Sequence, residues 1–79
     1  MIFVYIIQSL IDKGYYIGIC KNLEKRLEQH NKGGVYSTRK RKPFKIIHYE
    51  EYRSYQVARE REKALKSYKG GNSFKQLIK

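Results

Sequence analysis

The residues that could do chemistry are charged and polar side chains on helix faces where apolar ones are expected. After Asn22, Arg26 and His30 share a stripe with Leu23 and Leu27 at spacings of three, four and seven residues. An inward arginine is costly unless it is paired or used. A lone histidine in such a stripe is more often a core or boundary residue than a catalytic one. The stripe therefore singles out Arg26 first and His30 second.

A carboxylate lies in the same kind of position in a second predicted helix. Ala58, Glu62 and Leu65 follow the i, i+4, i+7 pattern, so Glu62 points along the apolar stripe. Two interpretations are open: a structural ion pair between Arg26 and Glu62, or a functional site that uses both. Structural ion pairs produce the same pattern, so spacing alone does not choose between them.

Tyrosines add a third group of candidates. Tyr16 and Gly18 share one face of a predicted strand, and Gly18 leaves space beside the Tyr16 hydroxyl. Tyr5 lies in the middle of the preceding strand, where a buried hydroxyl needs a partner. His48 lies mid-strand among apolar neighbours, and we assign it a packing role.

The elements that must position these residues follow from periodicity and turn signals. Strands are predicted over residues 2–9, 15–20 and 44–52, with a turn at residues 12–14. Helices are predicted from Asn22 to about residue 31, over about residues 55–68 behind Ser54, and after Asn72 or Ser73. Residues 35–43 are predicted to be a basic loop, and Gly70-Gly71 a helix break. The order is β-β-α-β-α-α, which predicts an α/β fold.

Charge and cysteine content limit the classes of function. The chain has 18 lysines and arginines and seven acidic residues, which give a net charge of +11 in 79 residues. Such a field favours polyanions, nucleic acid first and anionic membranes second. One cysteine, Cys20, cannot form an intrachain disulfide, which suits a reducing compartment. The apolar start MIFVYII is too short to span a bilayer, so we expect a cytoplasmic protein without a membrane partner.

Together these residues resemble the GIY-YIG nuclease family. Phe3-Val4-Tyr5 takes the place of the first triplet, and Tyr16-Ile17-Gly18 is the second triplet verbatim. Arg26 and His30 follow on the first helix, and Glu62 lies in an A-x-x-x-E-x-x-L-K pattern on the second. The resemblance covers essentially the whole chain and is closest to small stand-alone members, similar to the N-terminal domain of the bacterial excision-repair nuclease. Phe3 replaces a glycine, and Ile19 stands where some relatives have a lysine.

The resemblance implies a fold and a reaction. We expect one domain over residues 1–79, with a small three-stranded, mostly antiparallel sheet flanked by helices. The expected activity is metal-dependent hydrolysis of DNA phosphodiesters, in repair or recombination. Glu62 would hold a single Mg²⁺ or Mn²⁺, and Arg26 would bind the phosphate. Tyr16 is the candidate general base, with Tyr5 and His30 orienting it or relaying protons. Asn72 is a candidate match to the family's late asparagine.

DNA is the expected partner, with other proteins that deliver the substrate as a second kind. The predicted backbone contacts come from the basic loop: Thr38, Arg39, Lys40, Arg41 and Lys42. One alternative is a non-catalytic nucleic-acid-binding module on the same scaffold. Another is a basic ribosome- or RNA-associated protein, which would explain the charge but not the inward Arg26 and Glu62.

Overall fold

A computed structural model describes residues 1–68 and 71–78 of the chain. Its three strands are β1 (Ile2–Ser9), β2 (Tyr15–Cys20) and β3 (Phe44–Tyr52), and they form one antiparallel sheet in the order β2-β1-β3. β1 therefore lies in the centre, which explains why its side chains are apolar on both faces. Tyr5 pairs with Gly18 on one side and with Tyr49 on the other.

Helices cover both faces of this sheet. They are α1 (Leu23–Asn31), α2 (Tyr55–Ser67) and α3 (Asn72–Leu77). Asn22 caps α1 by accepting a hydrogen bond from the Lys25 amide at 3.0 Å, and Ser54 caps α2 through the Val57 amide. The predicted α/β fold, its strand bounds and its element order are confirmed. No helix within residues 1–68 and 71–78 is long and apolar enough to cross a membrane.

Two local predictions were wrong. Residues 36–41 form a 3₁₀ helix, Tyr36–Arg41, where we had predicted a loop. The segment is held in place because the side chain of its Thr38 is buried. In addition, its Arg41 carbonyl accepts a 2.6 Å hydrogen bond from the Ser9 hydroxyl. α3 begins at Asn72 behind Gly71, so neither Asn72 nor Ser73 is its cap. Gly70 of the predicted break lies outside the described residues.

The two faces of the sheet carry separate apolar clusters. On one face, β1 packs against α2 and α3 through a cluster consisting of Ile2, Val4, Ile6, Ala58, Leu65 and Phe74. On the other face, Tyr5, Ile7 and Phe44 pack with side chains of α1 and β2, including Leu23, Leu27 and Tyr16. Because residues 5, 16 and 18 point to this second face, the predicted tyrosines, Arg26 and His30 come together there.

Candidate active site

Tyr5, Arg26 and His30 form one hydrogen-bonded group between the sheet and α1. The Tyr5 hydroxyl lies 3.0 Å from His30 Nε2, and Arg26 Nε donates to the Tyr5 oxygen at 3.2 Å. Tyr5 is 2% exposed and His30 is fully buried. Arg26 is half-buried, and its Nη1 also donates to Gln29 Oε1 at 3.0 Å. Among the described residues, Nη2 of Arg26 has no hydrogen-bond partner.

Burial and the nearby guanidinium set the protonation states of this group. Burial raises the pKa of Tyr5 to about 12, against the opposing effect of Arg26. Burial, together with the positive charge of Arg26, lowers the pKa of His30 to about 4. At neutral pH the Tyr5 phenol therefore keeps its proton and the His30 ring is uncharged. Tyr5 is thus a hydrogen-bonding group here and is poorly suited to be a general base.

Tyr16 lies against the same histidine from the neighbouring strand. Its ring is half-buried and meets the His30 ring edge to face, with centroids 5.0 Å apart. Gly18, two residues on, provides the space that the Tyr5 hydroxyl occupies. The sequence predicted a close approach at Gly18, and the group that approaches is Tyr5.

Glu62 lies on α2, which packs on the face of the sheet opposite the Tyr5–Arg26–His30 group, so the structure does not bring Glu62 into that group. The Glu62 side chain is about one-fifth exposed, and its Oε2 lies 3.4 Å from Nζ of Lys66, whose side chain is more than half exposed. The alternative interpretation predicted an Arg26–Glu62 ion pair. The structure instead pairs Glu62 with Lys66 and Arg26 with Tyr5 and Gln29. Glu62 is therefore not needed to neutralise Arg26.

The side chains that could hold a divalent metal are few in the described residues. Within residues 1–68 and 71–78, no three His, Cys, Asp or Glu side chains form a group that could hold a metal. Among the carboxylates, the family pattern on α2 points to Glu62, whose ion-pair partner Lys66 is more than half exposed. Mg²⁺ keeps several waters and shares phosphate oxygens, so a single partly exposed carboxylate fits its coordination habits.

The predicted phosphate-binding residues separate into two groups. Arg39, Lys40 and Lys42 are exposed, and Arg41 is partly withdrawn because its Nε donates to Asp12 at 2.9 Å. Thr38 is fully buried, with Oγ1 2.8 Å from His30 Nδ1. Its predicted contact with nucleic acid is therefore corrected to an internal contact with His30. The burial of Thr38 has no signal in the sequence, because the 3₁₀ turn that points it inward has no apolar periodicity.

A second polar network, which the sequence analysis missed, lies between β3 and α2. Arg61 donates to both carboxylate oxygens of Glu50, at 2.8 and 3.0 Å. His48 and Tyr52 contact the same carboxylate at 2.9 and 2.7 Å. The Arg61 hydrogen bond, opposed by burial, lowers the pKa of Glu50 to about 2. His48 thus has a charged partner where we had predicted apolar packing. The i, i+2 spacing of His48 and Glu50 was the available signal.

Comparison with known proteins identifies a family and relatives of this chain. The GIY-YIG catalytic domain matches residues 1–75. A UPF0213 protein of Syntrophus aciditrophicus is 38% identical over 79 residues, covering 98% of this chain and 88% of the relative. Another from Clostridium perfringens is 39% identical over 67 residues, covering 84% and 71%. The solution NMR structure of a UPF0213 protein from Bacillus halodurans is 28% identical, with a TM-score of 0.50, and the match covers 94% of this chain and 92% of that one.

The fold is that of a small α/β domain with a three-stranded antiparallel sheet between helices, as the Bacillus halodurans structure also indicates. The match over residues 1–75 identifies the family, and the chain belongs to the GIY-YIG family of nucleases.

Proposed function

We propose that this chain is a divalent-metal-dependent endonuclease that hydrolyses DNA phosphodiester bonds, with residues 1–79 acting as one catalytic domain. The observation that carries the proposal is the hydrogen-bonded group of Tyr5, Arg26 and His30, with the Tyr16 ring packed edge to face against His30. A buried polar group of this kind is costly to build, and a simple binding surface would not require it. Its position beside exposed cations suits a phosphate ester.

Each side chain has a task that its geometry supports. Arg26 is held through Nε and Nη1, so Nη2 is left to bind a phosphate oxygen and offset developing negative charge. Tyr16, next to the cationic Arg26 and the neutral His30, is the proposed general base, directly or through a water. Tyr5 and His30 fix the positions of both. The set is small because phosphodiester hydrolysis depends mainly on positioning and charge neutralisation.

Glu62 is the proposed ligand for Mg²⁺ or Mn²⁺. When bound there, a divalent ion supplies Lewis-acid stabilisation of the phosphate and of the leaving oxygen. Glu62 is suited to this because its side chain is partly exposed and its ion-pair partner Lys66 is more than half exposed. α2 and Tyr16 lie on opposite faces of the sheet, so the proposal requires metal and substrate to meet at the edge formed by β2. The remaining ligands would be water and substrate oxygens.

DNA is the proposed substrate, and a role in cytoplasmic DNA repair or recombination is part of the proposal. The family's chemistry and the net charge of +11 both favour a polyanion. The exposed cations Arg39, Lys40 and Lys42 provide backbone contacts, which carry little base specificity.

The test is a cleavage assay on duplex, single-stranded and branched DNA, each with Mg²⁺, Mn²⁺ or EDTA. We expect metal-dependent cleavage of at least one substrate and none with EDTA. Binding to all three substrates without cleavage in either metal would instead identify a nucleic-acid-binding module on the same scaffold.

A further inference from the structure

The contact between Thr38 and His30 is sealed inside the protein. Both residues are fully buried, and Thr38 Oγ1 lies 2.8 Å from His30 Nδ1. Thr38 belongs to the 3₁₀ helix and His30 to the last turn of α1, so the contact ties the basic surface to the candidate site. Both ring nitrogens of His30 are therefore hydrogen-bonded, and its proton can occupy only one of them when the ring is neutral.

The direction of each hydrogen bond follows from Arg26, which can only donate. Its Nε–H donates to the Tyr5 oxygen. Tyr5 is buried, and among the described residues the one acceptor within reach of its proton is His30 Nε2, so the Tyr5 hydroxyl donates there. Nε2 must then be unprotonated, which places the imidazole proton on Nδ1. Nδ1–H donates to Thr38 Oγ1, and the Thr38 hydroxyl donates in turn to the Val35 carbonyl at 3.4 Å.

We propose that Thr38 is a positioning residue that holds His30 in the Nδ1–H tautomer and thereby fixes Tyr5 and Arg26. The tautomer follows from the hydrogen bonds alone, whereas its effect on cleavage rests on the proposed function. With the proton on Nε2, His30 would donate to the Tyr5 oxygen and compete there with Arg26. The Tyr5 proton would lose its acceptor, and the guanidinium would lose the contact that orients Nη2.

The test compares wild type with Thr38→Val, which keeps the shape and deletes the hydroxyl, and with Thr38→Ser, which restores it. Nitrogen-15 chemical shifts of the His30 ring identify the protonated nitrogen. We expect Nδ1–H in wild type and in Thr38→Ser, and a substantial Nε2–H population in Thr38→Val. The kcat of Thr38→Val should fall at least about tenfold, the lower end of the loss known for removing an outer hydrogen-bond partner of a metal-bound histidine. Its Kd for DNA should stay within about twofold, because the exposed cations are unchanged.

The outcomes separate this inference from the nuclease assignment. Nε2–H in wild type overturns the inference, and so does a Thr38→Val protein that keeps both Nδ1–H and the wild-type kcat. Two results together would support the inference and refute the proposed function. In that case the wild-type protein cuts no DNA, yet the His30 tautomer changes from Nδ1–H in wild type toward Nε2–H in Thr38→Val. If Thr38→Val does not fold, the wild-type spectrum alone decides the tautomer.

Discussion

Gly18 and Tyr5 lie so close together that a Cβ atom at position 18 would be 2.5 Å from the Tyr5 hydroxyl oxygen and 2.7 Å from its ring carbon Cζ. The two residues are register partners on β2 and β1, so both point toward α1. The glycine is therefore required by the position of a hydroxyl, and that hydroxyl also contacts His30 and Arg26. One missing methyl group allows the site to form.

Gly18→Ala should displace the Tyr5 ring and weaken its hydrogen bonds to His30 and Arg26. We expect a folded protein, destabilised by about 1–3 kcal/mol through overpacking, with cleavage reduced at least about tenfold. Thermal unfolding and a cleavage assay on the same sample measure the two effects. Gly34→Ala is the comparison variant, because Gly34 is exposed and its new Cβ, 3.3 Å from the Gln29 carbonyl oxygen, requires a shift of only a few tenths of an ångström and does not meet Tyr5. Full activity in Gly18→Ala would show that the Tyr5 position is not critical.

Tyr16→Phe tests the general base. The substitution keeps the ring that packs against His30 and deletes only the hydroxyl. We expect a near-normal melting temperature and cleavage lower by at least about 100-fold, the scale of general acid–base help. Tyr15→Phe is the control, because Tyr15 packs against Phe74 instead. If Tyr16→Phe cleaves at the wild-type rate, the base is another group and Tyr16 has a packing role only.

DNA affinity should fall steeply with salt. If about four to six phosphates are neutralised, log K against log salt should have a slope of about −4 to −5. Substituting Arg39, Lys40 and Lys42 together by Ala should make this slope shallower by about 2–3, since each lost phosphate contact contributes about 0.9. Arg41 is left intact because it pairs with Asp12.

Two single substitutions control for the loss of charge alone. Lys40→Ala and Lys75→Ala each remove one positive charge, and both side chains are exposed. Lys40 belongs to the 3₁₀ helix that packs on the α1 side, whereas Lys75 belongs to α3 on the opposite face of the sheet. Only Lys40→Ala should change the slope. Equal changes for the two variants would mean that net charge, and not a local surface, governs binding.

Glu62→Gln should abolish metal-dependent cleavage and leave DNA binding intact. Its stability cost should be below about 1 kcal/mol, because the substitution removes a single ion pair with a Lys66 side chain that is more than half exposed. Glu60→Gln, an exposed carboxylate on the same helix, is the control and should cut DNA normally. Unfolding without metal and cleavage with Mg²⁺ or Mn²⁺ are measured on each variant. A Glu62→Gln protein that melts much earlier yet still cuts DNA would assign Glu62 a structural role.

The sequence predicted the strands, α1 and α2 because apolar periodicity and capping residues determine them. It also predicted that Tyr5, Arg26 and His30 face inward. It did not predict their mutual hydrogen bonds, which depend on the register between β1 and β2 and on the placement of α1 across the sheet. Thr38 was assigned to a solvated basic loop because its neighbours are charged. Its burial results from a 3₁₀ turn whose side chains eclipse every third residue, a pattern too short to recognise from sequence.

The free energy of unfolding should fall in two stages as the pH is lowered. The pKa of His30 is lowered to about 4 from 6.5. Between these pH values His30 is protonated in the unfolded chain and neutral in the folded protein. The contribution of neutral His30 to the free energy of unfolding is therefore full above about pH 6.5. As the pH falls toward 4 this contribution is lost, which lowers stability by about 1–3 kcal/mol. The pKa of Glu50 is lowered to about 2 from 4.5. As the pH falls from about 4.5 to 2, Glu50 is protonated and its ion pair with Arg61 no longer stabilises the fold.

Urea unfolding as a function of pH separates the two stages. Glu50→Gln leaves Arg61 without its carboxylate partner, so it should lower stability at neutral pH by about 1–3 kcal/mol. It should also flatten the profile below about pH 4.5 while keeping the fall between about pH 6.5 and 4. His30→Gln should do the reverse, removing the upper fall and keeping the lower one. A wild-type profile that is level between about pH 6.5 and 4.5 would mean that His30 charges freely in the folded protein. The Tyr5–His30–Thr38 hydrogen bonds would then not constrain it.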